Sequence, residues 1–213
     1  MAEPDLEHSD VYSLFPTLVW KTDLERAVYA PINAQVVPLL QTLLNDRAIA
    51  EGESWQSAVG LHKRIDLQQL VSVIEGTTRR ILRFLHIASD GFEITGCWAS
   101  VNAPGASHRI HSHPNNYLSG VYYAQVQPGA DTINFHDPRP QTALLRPPVT
   151  ELTGQNTDQV VVSVATGTLL MFPSWLAHSV DANRSAKERI SISFNVLFRA
   201  FAETLAKPMW GES

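Results

Sequence analysis

The spacing of apolar positions changes once along the chain, from a helical period to a strand period. From Asp23 to about Leu44 the apolar residues Leu24, Ala27, Val28, Val36, Leu39, Leu40 and Leu43 return at helical spacing. Pro31 and Pro38 each remove an amide donor inside this stretch, which predicts helical pieces rather than one rod. A second helix is predicted over about 66–87. Asp66 is its N-cap with Gln69 three residues on, as in a capping box, and Leu67, Leu70, Val71, Ile74, Ile81, Leu82 and Leu85 line one face. After Asp90-Gly91 the period falls to two. Strands are predicted from Phe92 to Val101, Tyr117 to Val126, Thr132 to Phe135, Val160 to Ala165, Thr168 to Phe172 and Arg189 to Phe198. Turn-forming runs separate them, among them Ala103-Pro104-Gly105, Gln127-Pro128-Gly129, Asp137-Pro138-Arg139-Pro140 and Thr166-Gly167. Ahead of the helices, residues 1–10 read as polar and loose and Val11 to Trp20 as a β-prone stretch, with Pro16 suited to an edge strand. Asn45 to Gly60 reads as a loop.

Helices first and strands afterwards predict a mainly β fold with N-terminal helices, a sandwich or barrel buttressed by helices along one sheet. The expected organisation is a single domain over 1–213. It comprises an N-terminal strand with supporting helices at 1–90, a strand-rich core at 91–199 and a tail at 200–213. The longest candidate loop, 139–159, is a candidate lid. A length of 213 residues suffices for a core without disulfides, and the single Cys97 offers no intramolecular bridge. With 17% charged and 44% hydrophobic residues the composition is that of a globular chain. A net charge of −5 with 16 scattered Lys and Arg residues argues against a phosphate-binding face, so no nucleic-acid partner is expected. The first residues lack the basic and apolar regions of a signal peptide, and no stretch reads as a membrane span. A cytoplasmic protein without a membrane partner is the expectation.

Candidate chemistry centres on histidine. In an extended segment residues i and i+2 project to one side, so His111 and His113 can address one ion. His178 follows the tight apolar run Leu169-Leu170-Met171-Phe172-Pro173, where an imidazole needs a reason to be, and is the best third ligand. Three such ligands leave positions open for small molecules, as a catalytic metal requires. A His-x-His pair in a chain with eight histidines also arises by chance, and His178 together with Arg189 is what favours the metal reading. His8, His62 and His86 have no spacing partner and read as structural or solvent-exposed.

The runs His111-Ser112-His113-Pro114-Asn115-Asn116-Tyr117-Leu118-Ser119-Gly120-Val121-Tyr122-Tyr123, Gly167 to His178 and Arg189-Ile190-Ser191-Ile192-Ser193-Phe194-Asn195 resemble the iron(II)/2-oxoglutarate-dependent oxygenases. The likeness is to their prolyl-hydroxylase-like branch, and within it to bacterial and phage proteins of unassigned substrate. It spans about residues 92–198. It implies a double-stranded β-helix (jelly roll) buttressed by helices, with Fe(II) as the metal and 2-oxoglutarate as co-substrate. An unassigned small-molecule or peptidyl substrate would be hydroxylated with release of succinate and CO2. The resemblance implies that His111 is the first iron ligand and His178 the last. The position two after the first ligand is usually a carboxylate in this superfamily and is His113 here, which leaves the centre more electropositive. Asp137 is the nearest candidate for a substitute carboxylate.

A dicarboxylate chelating iron through its keto-acid end needs a cation for its far carboxylate, and the resemblance places Arg189 there. Ser191, two residues on and on the same strand face, would add a hydrogen bond. Tyr123 matches a tyrosine that reaches the same carboxylate, and Asn102 is a further polar candidate. Ser191, Ser193 and Asn195 alternate with Ile190, Ile192 and Phe194, so one face of this strand is polar and needs partners or a ligand. Trp175 is a candidate wall of the substrate cleft, and His108, Arg109 and Asn116 flank the metal segment as candidate substrate contacts. A homodimer is compatible with the sequence. Two other readings stand beside this one. Gly105 followed by His111-x-His113, and Gly167 followed by Pro173 and His178, echo the two cupin motifs and suggest a three-histidine dioxygenase or isomerase. That reading lacks the glutamate expected after His113 and leaves Arg189 unexplained. The missing carboxylate also suggests a non-catalytic β-helix binding module.

Overall fold

Two antiparallel sheets carry the chain in its computed structural model, which describes residues 8–45, 47–88, 91–139 and 144–202. The strands are β1 (Trp20–Asp23), β2 (Ser54–Gln56), β3 (Phe92–Asn102), β4 (His108–His111), β5 (Leu118–Gln125), β6 (Thr132–His136), β7 (Gln159–Ser163), β8 (Thr168–Pro173), β9 (His178–Val180) and β10 (Arg189–Phe198). A six-stranded sheet has the order β1-β8-β5-β10-β3-β2, and a four-stranded sheet the order β4-β9-β6-β7. From β3 to β10 the chain passes back and forth between the two sheets, as in a jelly roll.

Strand alternation divides the core in two. Even-numbered residues of β10 and β5, such as Ile192, Phe194 and Tyr122, join Ile32, Leu40, Leu70 and Ile74 in a core between the large sheet and two helices, α1 (Arg26–Leu44) and α2 (Gln68–Phe84). The opposite face of the large sheet gives Val121, Tyr123, Leu170 and Phe172 to a second core, where they meet Ile133, Phe135 and Val180 of the small sheet. The polar face of β10 therefore points between the sheets. Gly120 shows how tight the first core is: a Cβ there would lie 2.3 Å from Phe194 Cζ and 2.8 Å from the Leu170 carbonyl oxygen. Gly120→Ala is expected to cost about 1–3 kcal/mol, the usual penalty of overpacking, and a lowered urea midpoint at unchanged m-value would show it.

The structure revises several expectations. α1 runs unbroken through Pro31 and Pro38 over 19 residues. Each proline costs a backbone hydrogen bond, but burial of Ile32, Val36, Leu39 and Leu40 against the sheet outweighs that loss. By length and composition α1 is also long and apolar enough to cross a membrane, contrary to the reading that no stretch approaches a span. In this fold its buried face is part of the first core. The capping box at 66–69 does not form. Asp66 pairs instead with Arg64 at 3.0 Å within 3-10 turns, and α2 begins at Gln68 with no side-chain cap.

The β-prone stretch Val11 to Val19 is not a strand, because pairing with β8 begins only at Trp20, opposite Met171. Within the expected loop 45–60, β2 pairs with β3. The remaining strands lie close to their predicted bounds, and β4 and β9 are additional. Arg199–Ala202 forms a helical turn after β10, while the rest of the expected tail, 203–213, lies outside the described residues, as do 1–7 and, in the candidate lid, 140–143.

Candidate active site

The small sheet brings the three histidines together. β4 and β9 pair antiparallel with His111 directly opposite His178. His113 lies just beyond β4, where its backbone N–H donates to the Ser174 carbonyl at 2.9 Å and ties the two histidine segments to each other. One ring nitrogen from each of His111, His113 and His178 lies within 4.8 Å of the others. The Nδ1–H of His111 donates to the Arg109 carbonyl at 2.7 Å, and that of His178 to the Leu176 carbonyl at 3.0 Å. A carbonyl only accepts, so both rings carry their proton on Nδ1 and turn Nε2 outward as a lone-pair donor, the arrangement a metal-binding imidazole uses. His178 is buried, His113 half-buried and His111 exposed, so the cluster opens toward solvent on one side.

Burial holds His178 and His113 neutral, with pKa values pulled down to about 4, and the neighbouring His111 adds to the effect at both. No carboxylate belongs to this cluster among the described residues. Asp137 is committed elsewhere: its carboxylate accepts from Arg139 Nε at 3.0 Å and Nη2 at 2.6 Å, and these hydrogen bonds hold its pKa below the ordinary range. The expectation that Asp137 could replace the missing ligand is thereby corrected.

The cavity behind the histidines is walled by cross-strand rows of the large sheet. One row is Gln56–Ser100–Ser191–Tyr123, Trp98–Ser193–Val121 lies nearer the histidines, and at the other end Arg189, paired with Asn102 in the sheet, closes the wall. Arg189 is 3% exposed and its guanidinium lies 5.8 Å from the Tyr123 ring centroid. Among the described residues its Nε has no partner, and its one hydrogen bond is a long one of 3.5 Å from Nη1 to the Thr132 carbonyl. Burial pulls its pKa down, which the tyrosine partly offsets. Tyr123 is fully buried, its hydroxyl is also unpaired, and burial pushes its pKa up to about 12, so it is a neutral donor. A buried cation beside a buried hydroxyl, both short of acceptors, is costly unless an anion binds there.

The other predicted residues are placed less centrally. Ser191 lines the cavity as expected, and Asn195 of the same strand face is satisfied by Ser119 Oγ at 2.7 Å. Asn102 is buried but does not line the cavity. Its Nδ2 reaches Ser54 Oγ and His108 Nε2, both at 2.8 Å, so it supports His108 from behind. Asn116 pins the turn after the metal segment: its Oδ1 accepts from Thr95 Oγ1 at 2.6 Å and its Nδ2 donates to the Pro114 carbonyl at 3.0 Å. Trp175 and Arg109 are exposed and lie outside the lining. The aromatic wall is Trp98, whose ring centroid is 5.7 Å from that of His113. Trp98 and Ser100 were legible in the period of β3, two residues apart on the face that carries the cavity. Gln56 was hidden in a segment with no strand pattern.

The depressed histidine pKa values carry a pH prediction for the metal-free protein. His108, His113 and His178 titrate near 4 when folded, against an ordinary 6.5. The unfolded chain therefore takes up protons first as pH falls. Stability from these groups is complete above about 6.5, declines by up to about 3 kcal/mol for each of them as pH drops toward 4, and is not lost further below that. Urea midpoints measured across pH 4 to 7 check it, and a flat profile would contradict neutral buried imidazoles.

Residues 96–195 match the family described as "Putative 2OG-Fe(II) oxygenase". No curated protein matches the chain. Among solved structures, a prolyl-4-hydroxylase of Pseudomonas putida is 15% identical with a TM-score of 0.59, covering 86% of this chain and 94% of that one. A prolyl hydroxylase of Trichoplax adhaerens, in complex with a hypoxia-inducible-factor peptide, is 13% identical with a TM-score of 0.60, covering 89% and 87%. The α-ketoglutarate-dependent carbocyclase SnoK of nogalamycin biosynthesis is 15% identical with a TM-score of 0.61, covering 92% and 90%. At these identities the neighbours show the fold, a double-stranded β-helix.

Proposed function

We infer that His111, His113 and His178 hold the iron, and Arg189 the co-substrate, of what is by its family match over residues 96–195 a 2OG-Fe(II) oxygenase. The observation that carries this reading is the buried, under-paired Arg189 and Tyr123 behind three converging imidazoles. Imidazole nitrogens, one from each ring and within 4.8 Å of one another, suit a divalent ion, and the absence of any acidic side chain from the cavity lining among the described residues suits an anionic co-substrate. When bound, iron(II) and 2-oxoglutarate supply the oxidising chemistry, consuming oxygen and releasing succinate and CO2.

The chain's own residues do the rest. Arg189 would grip the far carboxylate by a charge-assisted pair, with Tyr123 and Ser191 donating beside it, so that the oxoacid is held in one direction. The Arg109 and Leu176 carbonyls keep the His111 and His178 rings in the tautomer that binds metal. Phe172, with its ring centroid 4.8 Å from that of His178, and Phe135, at 6.3 Å, keep the inner side of the centre dry. The substrate would approach from the open side, where His111 is exposed and Trp98 stands beside His113. A hydroxylation of a small-molecule or peptidyl substrate is the reaction this arrangement supports.

Metal analysis together with 2-oxoglutarate turnover tests the reading. Retained iron with succinate formed from 2-oxoglutarate supports the oxygenase. Iron without any response to 2-oxoglutarate would favour the cupin-type enzyme, and a protein that binds no metal would be a binding module.

A further inference from the structure

Two histidines of the cluster owe their tautomer to a carbonyl, and a fourth imidazole in the same cavity owes its tautomer to an amide. His108, on β4, lines the cavity together with Arg189 and lies within electrostatic reach of both Arg189 and His111. It therefore flanks the path an oxoacid takes between the histidine cluster and the buried guanidinium. Its Nε2 is 2.8 Å from Asn102 Nδ2, and the same amide nitrogen is 2.8 Å from Ser54 Oγ. Asn102 is 2% exposed and its Oδ1 has no partner. Turning the amide over would leave both of its buried N–H bonds unpaired, which is worse than one under-satisfied carbonyl. The amide therefore donates to His108, Nε2 accepts, and the proton of the neutral ring sits on Nδ1. No partner for that Nδ1 is found among the described residues, and it is not a sealed, unsatisfied atom.

We propose that His108 is a binding residue for 2-oxoglutarate: held by Asn102 as the Nδ1–H tautomer, it donates a hydrogen bond to a carboxylate of the oxoacid alongside Arg189. This rests on the reading of the cavity as the oxoacid pocket. The design suits the site, because an imidazole kept neutral adds a donor without setting a second cation against Arg189 or the metal. Burial and the nearby Arg189 both favour the neutral ring, holding its pKa near 4. Ser54 extends the support outward: it lies opposite Asn102 on β2, the short edge strand that pairs with β3.

The test is calorimetric binding of 2-oxoglutarate to the full chain loaded with manganese(II), with metal content and melting temperature followed in parallel. His108→Phe removes the donor but keeps a ring, and is expected to weaken binding about tenfold with metal content unchanged. His108→Asn places an amide N–H near the former Nδ1–H and is expected to remain within about threefold of the wild type. In the metal-free protein, histidine nitrogen and carbon shifts should report the Nδ1–H tautomer at His108, and Asn102→Ala should lose that signature while weakening binding severalfold. Wild-type affinity in His108→Phe, while Arg189→Ala has lost binding, would overturn the role of His108 and leave the oxoacid pocket standing. If Arg189→Ala also binds as the wild type does, the pocket itself is wrong and the proposal falls with it. Should His108→Phe not fold, the wild-type tautomer decides: an Nε2–H signature overturns the proposal.

Discussion

His178→Ala is expected to lose its metal while keeping its fold. Among the three histidines His178 is the most enclosed, 3% exposed and set directly across from His111 in the β4–β9 pair. Its ring stacks on that of His113 at 27° with centroids 5.2 Å apart, and its Nδ1–H is fixed on the Leu176 carbonyl. Alanine leaves two imidazoles, one of them exposed, and removes the one whose position is fixed from most sides. Loss of a residue that merely orients a ligand typically costs 10–100-fold in metal affinity, so loss of this ligand should exceed about a hundredfold. The backbone pairing of β4 with β9 needs no side chain at 178, and the cavity left behind costs stability on the scale of ~2–3 kcal/mol. Elemental analysis after dialysis against a weak chelator, alongside a melting curve, reads both quantities. Wild-type iron content in a folded variant would remove His178 from the ligand set.

The second large effect has opposite signs in two states of the protein. Arg189→Met is expected to weaken 2-oxoglutarate binding by a few kcal/mol, the scale of losing a charge-assisted pair inside a desolvated pocket. The ligand-free protein should be no less stable. Arg189 is 3% exposed, no described acidic residue forms an ion pair with it, and its Nε is unpaired, so its charge is a cost that only an anion offsets. A methionine of similar length fills the space without that cost. The melting temperature without ligand should hold or rise, and the upward shift that 2-oxoglutarate gives the wild type should vanish. A variant that melts far below the wild type without ligand would make Arg189 a structural residue, and an unchanged ligand shift would take it out of the pocket.

Much of this site was readable before any fold was known, because its parts obey local rules. The period-2 run from Arg189 to Phe198 separates Ser191 and Ser193 from Ile190, Ile192 and Phe194, and the fold places those sets in the cavity and in the helix-facing core respectively. The His-x-His spacing likewise announces two rings able to meet one ion. Local rules fail where a long-range contact sets the outcome. Pro31 and Pro38 forbid a straight helix by propensity, yet α1 persists because its apolar face is buried against a sheet formed much later in the chain. Val11 to Val19 has strand composition but no neighbouring strand to pair with, and Val11 to Thr17 are left exposed. Ser54–Gln56 has no strand pattern but meets the free edge of β3 and becomes part of the polar wall.

The sequence by itself determined the two-part order of helices and strands, the three histidines and the arginine, since side-chain period and ligand type are properties of short segments. Only the tertiary structure decided which polar groups share the cavity. It buried Arg189 without an acidic partner, turned Asp137 toward Arg139, set Trp98 rather than Trp175 beside the histidines, and put Asn102 behind His108. Apart from the local Asp137–Arg139 pair, these outcomes depend on the register between strands far apart in the chain. A shift of one residue in that register would move Arg189, Trp98 and Asn102 to the opposite face.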